Sequence, residues 1–319
     1  MTLDPSTEML LQGMAEAGGP ALHELPVDLA RAAIKELSAK TGIAAADVHQ
    51  VEDRSIPGPN GVIPIRIYRP RARTVDPSLP ALILYHGGGW ILGDIESHDS
   101  IARYLCRHGA VVVVNVEYRL APEHKFPAGV EDCYAALEWV AGNAGELGID
   151  PGRIALTGDS AGGNLTVVAS LLARERNGPA VAFQIPAYPC VDCREQAGYP
   201  SRGKFGGGEY FLSSDDITWV NRNYFTTPRD AEDVRASPIL IGDLAGLPPA
   251  LVITAGYDPL CDEGEHYARR LRAAGVPVEY QCYTGTIHGF LSFAGVLKAG
   301  RDALDLVAAR LRTGFGPQV

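Results

Sequence analysis

Arg153-Ile154-Ala155-Leu156-Thr157-Gly158-Asp159-Ser160-Ala161-Gly162-Gly163-Asn164-Leu165-Thr166 decides the fold. Ile154 to Thr157 is short and apolar, without polar alternation, as expected of a strand buried on both faces of a parallel sheet. Residues 161–177 read as a helix. Between the two stands Gly-x-Ser-x-Gly, which forms a nucleophile elbow when it joins a strand to a helix. The chain must turn so tightly at Ser160 that residues two positions either side crowd each other, and Gly158 and Gly162 are the side chains that fit. The new helix points its N-terminus at Ser160, which favours negative charge building up there. Ser160 is the candidate nucleophile.

Working outward, similar apolar runs occur at 81–86, 110–116, 180–185, 250–256 and 277–283. Two more strands are expected at 51–56 and 63–69, around a turn at Pro57-Gly58-Pro59-Asn60-Gly61. Helices are expected at 98–108, 127–142, 262–275 and 297–312, and near the N-terminus at 7–17 and 26–40. Strand–helix alternation predicts an α/β fold with right-handed crossovers. Two segments break the alternation: the first 45 or so residues, and 190–236. The second holds Gly206-Gly207-Gly208, a helix start at Ser213-Ser214-Asp215-Asp216, and then Trp219, Tyr224 and Phe225. It follows the carboxyl end of a strand, where such sheets bind ligands, and so reads as a lid.

His86-Gly87-Gly88-Gly89-Trp90 directly follows a strand. Three glycines let backbone N–H groups approach a ligand closely. Acyl transfer needs donors where the tetrahedral oxyanion forms, and one donor supplies roughly 3–4 kcal/mol. Gly88 and Gly89 N–H, with Ala161 N–H, are the candidate oxyanion hole. His86 is expected to brace this loop, because in elbow hydrolases the base follows the serine and the acid along the chain. After Ser160 only His266 and His288 remain. His266 falls in a charged helix and is expected at the solvent surface. His288 follows a strand, at the sheet edge that carries Ser160. Asp258 follows the strand 250–256 at the same edge, whereas Asp243 precedes it. Asp262 and Glu263 read as helix-start acids. The expected relay is therefore Ser160, Asp258, His288, with His288 taking the serine proton and Asp258 holding its tautomer.

Composition excludes several classes. The 319 residues carry 28 Lys+Arg against 38 Asp+Glu, a net charge of −10, so nucleic acid is not an expected partner. Hydrophobic residues make up 46%, enough for a sizeable core, yet no run nears the ~18 apolar residues that cross a bilayer. Met1-Thr2-Leu3-Asp4-Pro5 lacks the basic region and apolar core of a signal peptide. Six scattered cysteines read as free thiols of a reducing cytoplasm. Cys190-Val-Asp-Cys193 has no second pair to complete a zinc site, so no metal is expected.

HGGGW, GDSAGG, DPLCDEG and IHGF, in that order, resemble the hormone-sensitive-lipase family of α/β-hydrolases, the bacterial carboxylesterases and their lipase relatives. Tyr118-Arg119-Leu120-Ala121-Pro122-Glu123 and Leu247-Pro248-Pro249-Ala250 match the same family's wording. The resemblance implies an α/β-hydrolase fold: an eight-stranded, mostly parallel sheet with helices on both faces and a helical cap. The cap would comprise 1–46 and the insertion 190–236, and the hydrolase domain 47–189 and 237–319. It implies ester hydrolysis through an acyl-serine without cofactor or metal, on a small-molecule ester of about two to eight acyl carbons, and a homodimer through an edge strand, here 277–283. It also implies acceptance of bulky tertiary alcohol esters, since glycines 88 and 89 do not crowd the alcohol; a branched side chain at Gly88 is expected to remove that activity first. Trp90, Tyr188, Phe205, Phe211 and Trp219 are candidates to line the pocket, and each could equally be core. An amide or formamide hydrolase would use the same triad. A non-catalytic binding module on this fold would lack the histidine, and here His288 is present. Nothing in the sequence speaks for a peptidase.

Overall fold

The protein's structure, a computed structural model, describes residues 2–72 and 78–313. The tips of the first and last expected domain segments, and residues 73–77, lie outside them. The strands are β1 (Gln50–Gly58), β2 (Gly61–Arg69), β3 (Leu79–Tyr85), β4 (Val112–Val116), β5 (Ile149–Asp159), β6 (Phe183–Ala187), β7 (Ala250–Tyr257) and β8 (Val278–Ile287). They form one sheet in the order β1-β2-β4-β3-β5-β6-β7-β8. β2 pairs antiparallel with β1 and β4, and every other pairing is parallel. This is the expected eight-stranded, mostly parallel α/β-hydrolase sheet.

The apolar strand runs are explained by burial on both faces. In β3, Ala81, Ile83 and Tyr85 pack in one cluster with α4 (Ala128–Gly142), the short α5 (Ala144–Leu147) and α6 (Ala161–Glu175). Leu82 and Leu84, pointing the other way, pack with α3 (Asp99–Gly109) and α10 (Lys298–Arg312). Each of these Ile and Leu side chains contributes about 1.5–3 kcal/mol of burial. A third cluster joins β7 to α9 (Cys261–Ala273) through Val252, Tyr267 and Leu271.

The strand order places the site. The chain passes from β3 to β4 on one side and then crosses to β5 on the other, so β3 and β5 are neighbours at the point where the winding reverses. Their carboxyl ends carry the glycine loop and Ser160 side by side. β6 forms at 183–187 rather than 180–185, because Ala182 only enters the sheet, its N–H meeting Ile154 O at 2.8 Å. The same shift takes β6 up to Ala187, whose carbonyl accepts the Ser160 N–H at 2.9 Å. β8 runs four residues past the expected 283, so His288 comes straight off a strand.

The two unexplained segments fold as helices: α1 (Pro5–Ala17) and α2 (Val27–Thr41) in the first, α7 (Pro200–Phe205) and α8 (Ser214–Tyr224) in the second. The expected start of α8 is a capping box, with Ser213 Oγ accepting the Asp216 N–H and Asp216 accepting the Ser213 N–H, both at 3.0 Å. Arg31 of α2 donates to Ile91 O and Ala121 O, fastening the N-terminal segment beside the glycine loop. Among the described residues no helix is long and apolar enough to cross a membrane.

Candidate active site

Ser160 sits between β5 and α6 with φ 55° and ψ −116°, a conformation that costs a non-glycine residue on the order of 1–3 kcal/mol. The crowding inferred at the elbow is present: a Cβ on Gly162 would overlap the Tyr85 carbonyl, and one on Gly158 would overlap Gly162 itself. The turn presents Ser160 Oγ to His288 Nε2 at 2.8 Å. His288 Nδ1 meets Asp258 Oδ2 at 2.8 Å. Asp258 is fully buried, and its other oxygen accepts the Leu260 N–H at 2.8 Å. With its Nδ1 hydrogen given to the carboxylate, the ring turns a lone pair on Nε2 towards the serine hydroxyl, which it can deprotonate.

Gly88 and Gly89 have φ of 115° and 61°, open only to glycine at little cost. Among the described residues no acceptor takes the N–H of Gly88, Gly89 or Ala161, and all three residues line the cavity that holds Ser160. A Cβ on Gly88 would run into the Leu92 carbonyl. The expectation that a branched side chain there crowds the alcohol therefore needs correction: it would displace the loop. A Cβ on Gly89 would meet Val220 Cγ2 of α8 at 2.7 Å. His86 is fully buried, bonded through Nδ1 to Gly87 O at 2.9 Å and stacked on Tyr118 at 4.2 Å.

The cavity measures about 150 Å³. Ser160 and His288 share its wall with apolar groups of both inserted segments, among them Leu22, Ile34, Phe211 and Val220. Of the five aromatic candidates, Trp90, Phe211 and Trp219 line it. Tyr188 and Phe205 do not. Tyr188 is wholly buried against His288 and Phe290, and Phe205 packs on Tyr210 and Tyr257. His266 is not at the open surface either: it is half-buried, with Tyr199 OH 3.2 Å from its Nδ1. Cys190 and Cys193 are free thiols, their sulfurs 3.8 Å apart, and Cys190 reaches the cavity wall.

Three ionisable groups around the site escaped the sequence reading. Asp159, inside the elbow motif, and His98, in a stretch without a motif, bond to each other at 2.9 Å. Glu263 is more than a helix-start acid. It is fully buried and accepts the N–H groups of Val191 and Asp192 and the Arg202 guanidinium. Burial pushes its carboxyl up to about 7, against the pull of Arg202. Its bonds hold residues 191, 192 and 202 against α9.

His23 Nδ1 and Asp216 Oδ1, 2.8 Å apart, tie the two inserted segments together at the cavity wall. The hydrogen bond to Asp216 raises the His23 pKa above its ordinary 6.5, burial opposing, with Asp215 and Glu24 adding to the rise. A raised histidine pKa stabilises the fold fully below the unfolded value and loses that stabilisation as pH rises through the folded one. The Tm gap between wild type and His23→Ala is accordingly expected to be small, present at pH 6 and gone by pH 9. An equal gap at both values would mean that the ring acts by packing alone.

The chain is similar to several known proteins. Residues 82–292 match the family described as alpha/beta hydrolase fold. Carboxylic ester hydrolase LipN of Mycobacterium tuberculosis is 42% identical over 300 residues, covering 91% of this chain and 77% of that protein. The ethyl acetate hydrolase of Pseudomonas putida is 36% identical over 323 residues, covering 98% and 99%. The solved structure of a hyperthermophilic esterase from the archaeon Pyrobaculum calidifontis superposes with a TM-score of 0.92 at 45% identity, covering 98% of this chain and 99% of that one. With a family match spanning about two thirds of its length and relatives this similar along nearly all of it, the chain belongs to the α/β-hydrolase-fold family, in its hormone-sensitive-lipase-like branch.

Proposed function

We propose that the protein is a serine carboxylesterase that hydrolyses short- to medium-chain esters. The observation that carries this reading is the Asp258–His288–Ser160 relay, with both links at 2.8 Å, opening on an apolar cavity beside three N–H groups that have no acceptor among the described residues. Ser160 Oγ attacks the ester carbonyl as His288 Nε2 takes its proton. The carbonyl oxygen becomes an oxyanion between Gly88, Gly89 and Ala161 N–H. His288 then gives the proton to the leaving alcohol, and an acyl-serine remains. Water, deprotonated by the same nitrogen, releases the acid and restores the serine. The mechanism uses no cofactor or metal.

Residues 1–46 and 190–236 are, in this reading, the two parts of a cap over the hydrolase domain of 47–189 and 237–319. Both supply cavity wall, and Arg31 and Glu263 anchor one part each. A cavity of about 150 Å³ lies below the range of ~300–1,000 Å³ typical of drug-sized ligands and suits a small ester. The activity named for the Pseudomonas relative points the same way. Each added CH₂ contributes about 0.8 kcal/mol until the cavity is full. kcat/KM on p-nitrophenyl esters is thus expected to rise from acetate and fall beyond about eight carbons, the ~0.8 kcal/mol step giving about fourfold per CH₂ at first. Faster turnover of sixteen-carbon triglycerides than of butyrate esters would overturn this in favour of a true lipase. Aryl esters should far outpace the matching aryl amides; the reverse would favour an amidase.

The remaining parts of the reading concern partners and place. β8 leaves one sheet edge open, with Val278 to Tyr283 half-buried, and suits a homodimer formed by pairing there. Six free thiols fit a reducing cytoplasm.

A further inference from the structure

Asp159 stands between Gly158 and Ser160, buried at 7% exposure. One of its oxygens, Oδ1, accepts the Gly87 N–H at 2.9 Å and faces His98 Nε2 at 2.9 Å; the other lies 3.5 Å from Tyr188 OH. A single carboxylate thus binds the first glycine of the loop to the elbow. A Cβ on Gly87 would overlap that carboxylate, so the fit is close. The arrangement has a cost. Asp159 lines the cavity next to Ser160, and an unbalanced negative charge in a desolvated site opposes a second one forming beside it.

His98 supplies the balance. Ser97 Oγ gives its one hydrogen to Asp94 O at 2.8 Å and takes the Asp94 N–H at 2.9 Å. It can therefore meet His98 Nδ1, 3.1 Å away, only as an acceptor. Nε2 faces the Asp159 carboxylate. Gly87 N is also 3.3 Å from Nε2, but its hydrogen has the nearer carboxylate, so Nε2 donates. A ring with acceptors at both nitrogens is an imidazolium. The neighbours respond accordingly. Burial pushes the Asp159 carboxyl up, yet the charge and hydrogen bond of His98 bring it below its ordinary range, helped by His288 and His86. His86, its ring 5.7 Å from that of His98, is pushed down to about 4 by burial and then by His98.

We propose that His98 is a positioning residue of the esterase site: as a buried cation it cancels the Asp159 charge, letting that carboxylate clamp the oxyanion loop to the elbow without repelling the oxyanion. This rests on the esterase reading above. It assigns a role in the reaction to a residue that, among the described residues, lies within hydrogen-bond distance of Gly87, Ser97 and Asp159 and makes no hydrogen bond to the nucleophile or to glycines 88 and 89.

The test is a charge cycle read as kcat and KM on p-nitrophenyl butyrate. Gln can still donate to Asp159 but carries no charge, so His98→Gln should lower kcat by about 10²-fold, comparable to losing one oxyanion donor, with KM little changed. Adding Asp159→Asn should recover at least half of that loss on a logarithmic scale, because the amide oxygen still accepts from Gly87 and no charge is left unpaired. A histidine that only supports the fold would give a double variant no better than His98→Gln, since two structural losses add; that result, or a rise in KM at constant kcat, overturns the proposal. Thermal melts accompany each variant. Unfolding of His98→Gln that Asp159→Asn reverses counts for the charge pair, and unfolding that it does not reverse counts against it. Wild type and Ser160→Ala run in parallel: serine-dependent turnover with no rescue sinks the charge pair alone, whereas a wild type without ester turnover sinks the esterase reading as well.

Discussion

Ser160→Ala is expected to lower kcat by about 10⁴–10⁶-fold, with His288→Ala in the same range and the double variant little worse than either. The reason is the geometry of one proton's path. Among the described residues Ser160 Oγ has a single partner for its hydrogen, His288 Nε2 at 2.8 Å, and that ring is oriented by the buried Asp258. Without the ring the hydroxyl keeps its proton; without the hydroxyl the ring has nothing to activate but water. Losses that act through one step do not add. Fluorophosphonate labelling gives a second readout, since it needs both groups and no ester. The assignment fails if either single variant retains a tenth of wild-type kcat on p-nitrophenyl butyrate.

The second large effect belongs to the loop. Gly88→Ala is expected to cost about 10²–10³-fold in kcat, through the loss of one aligned oxyanion donor. The new Cβ would meet the Leu92 carbonyl, part of the backbone that carries the loop, at a residue with φ 115°. Neither can yield cheaply, so the loop must move and its N–H with it. Because the side chain points at Leu92 and not at the ester, ethyl acetate and tert-butyl acetate should slow by the same factor. A selective loss of the tertiary ester would show that alcohol access is set at Gly88 after all. Gly89→Ala offers a contrast. Its Cβ would meet the Val220 side chain at 2.7 Å, and Val220→Ala in the same chain should restore part of the activity.

The proposed chemistry was legible in the sequence because it depends on local backbone demands. A tight turn with crowded flanks needs glycine at 158 and 162, a loop with positive φ needs it at 88 and 89, and strands covered on both faces need unbroken Val, Ile and Leu. Each requirement is met within a few consecutive residues. The order serine, acid, base then follows from which strand ends share an edge. Tertiary structure alone decided the rest. Whether Trp219 or Phe205 faces the cavity depends on how residues 200–224 settle against α2, β7 and the glycine loop, far apart in sequence. The exact ends of β6 and β8 were set by ladder bonds to their neighbours and not by their own apolar runs. His98 and Glu263 carry no local signature, since their roles arise from partners 61 and 72 residues away that only folding brings within bonding distance. A buried charge is placed by what neutralises it, and that partner is a property of the packed molecule.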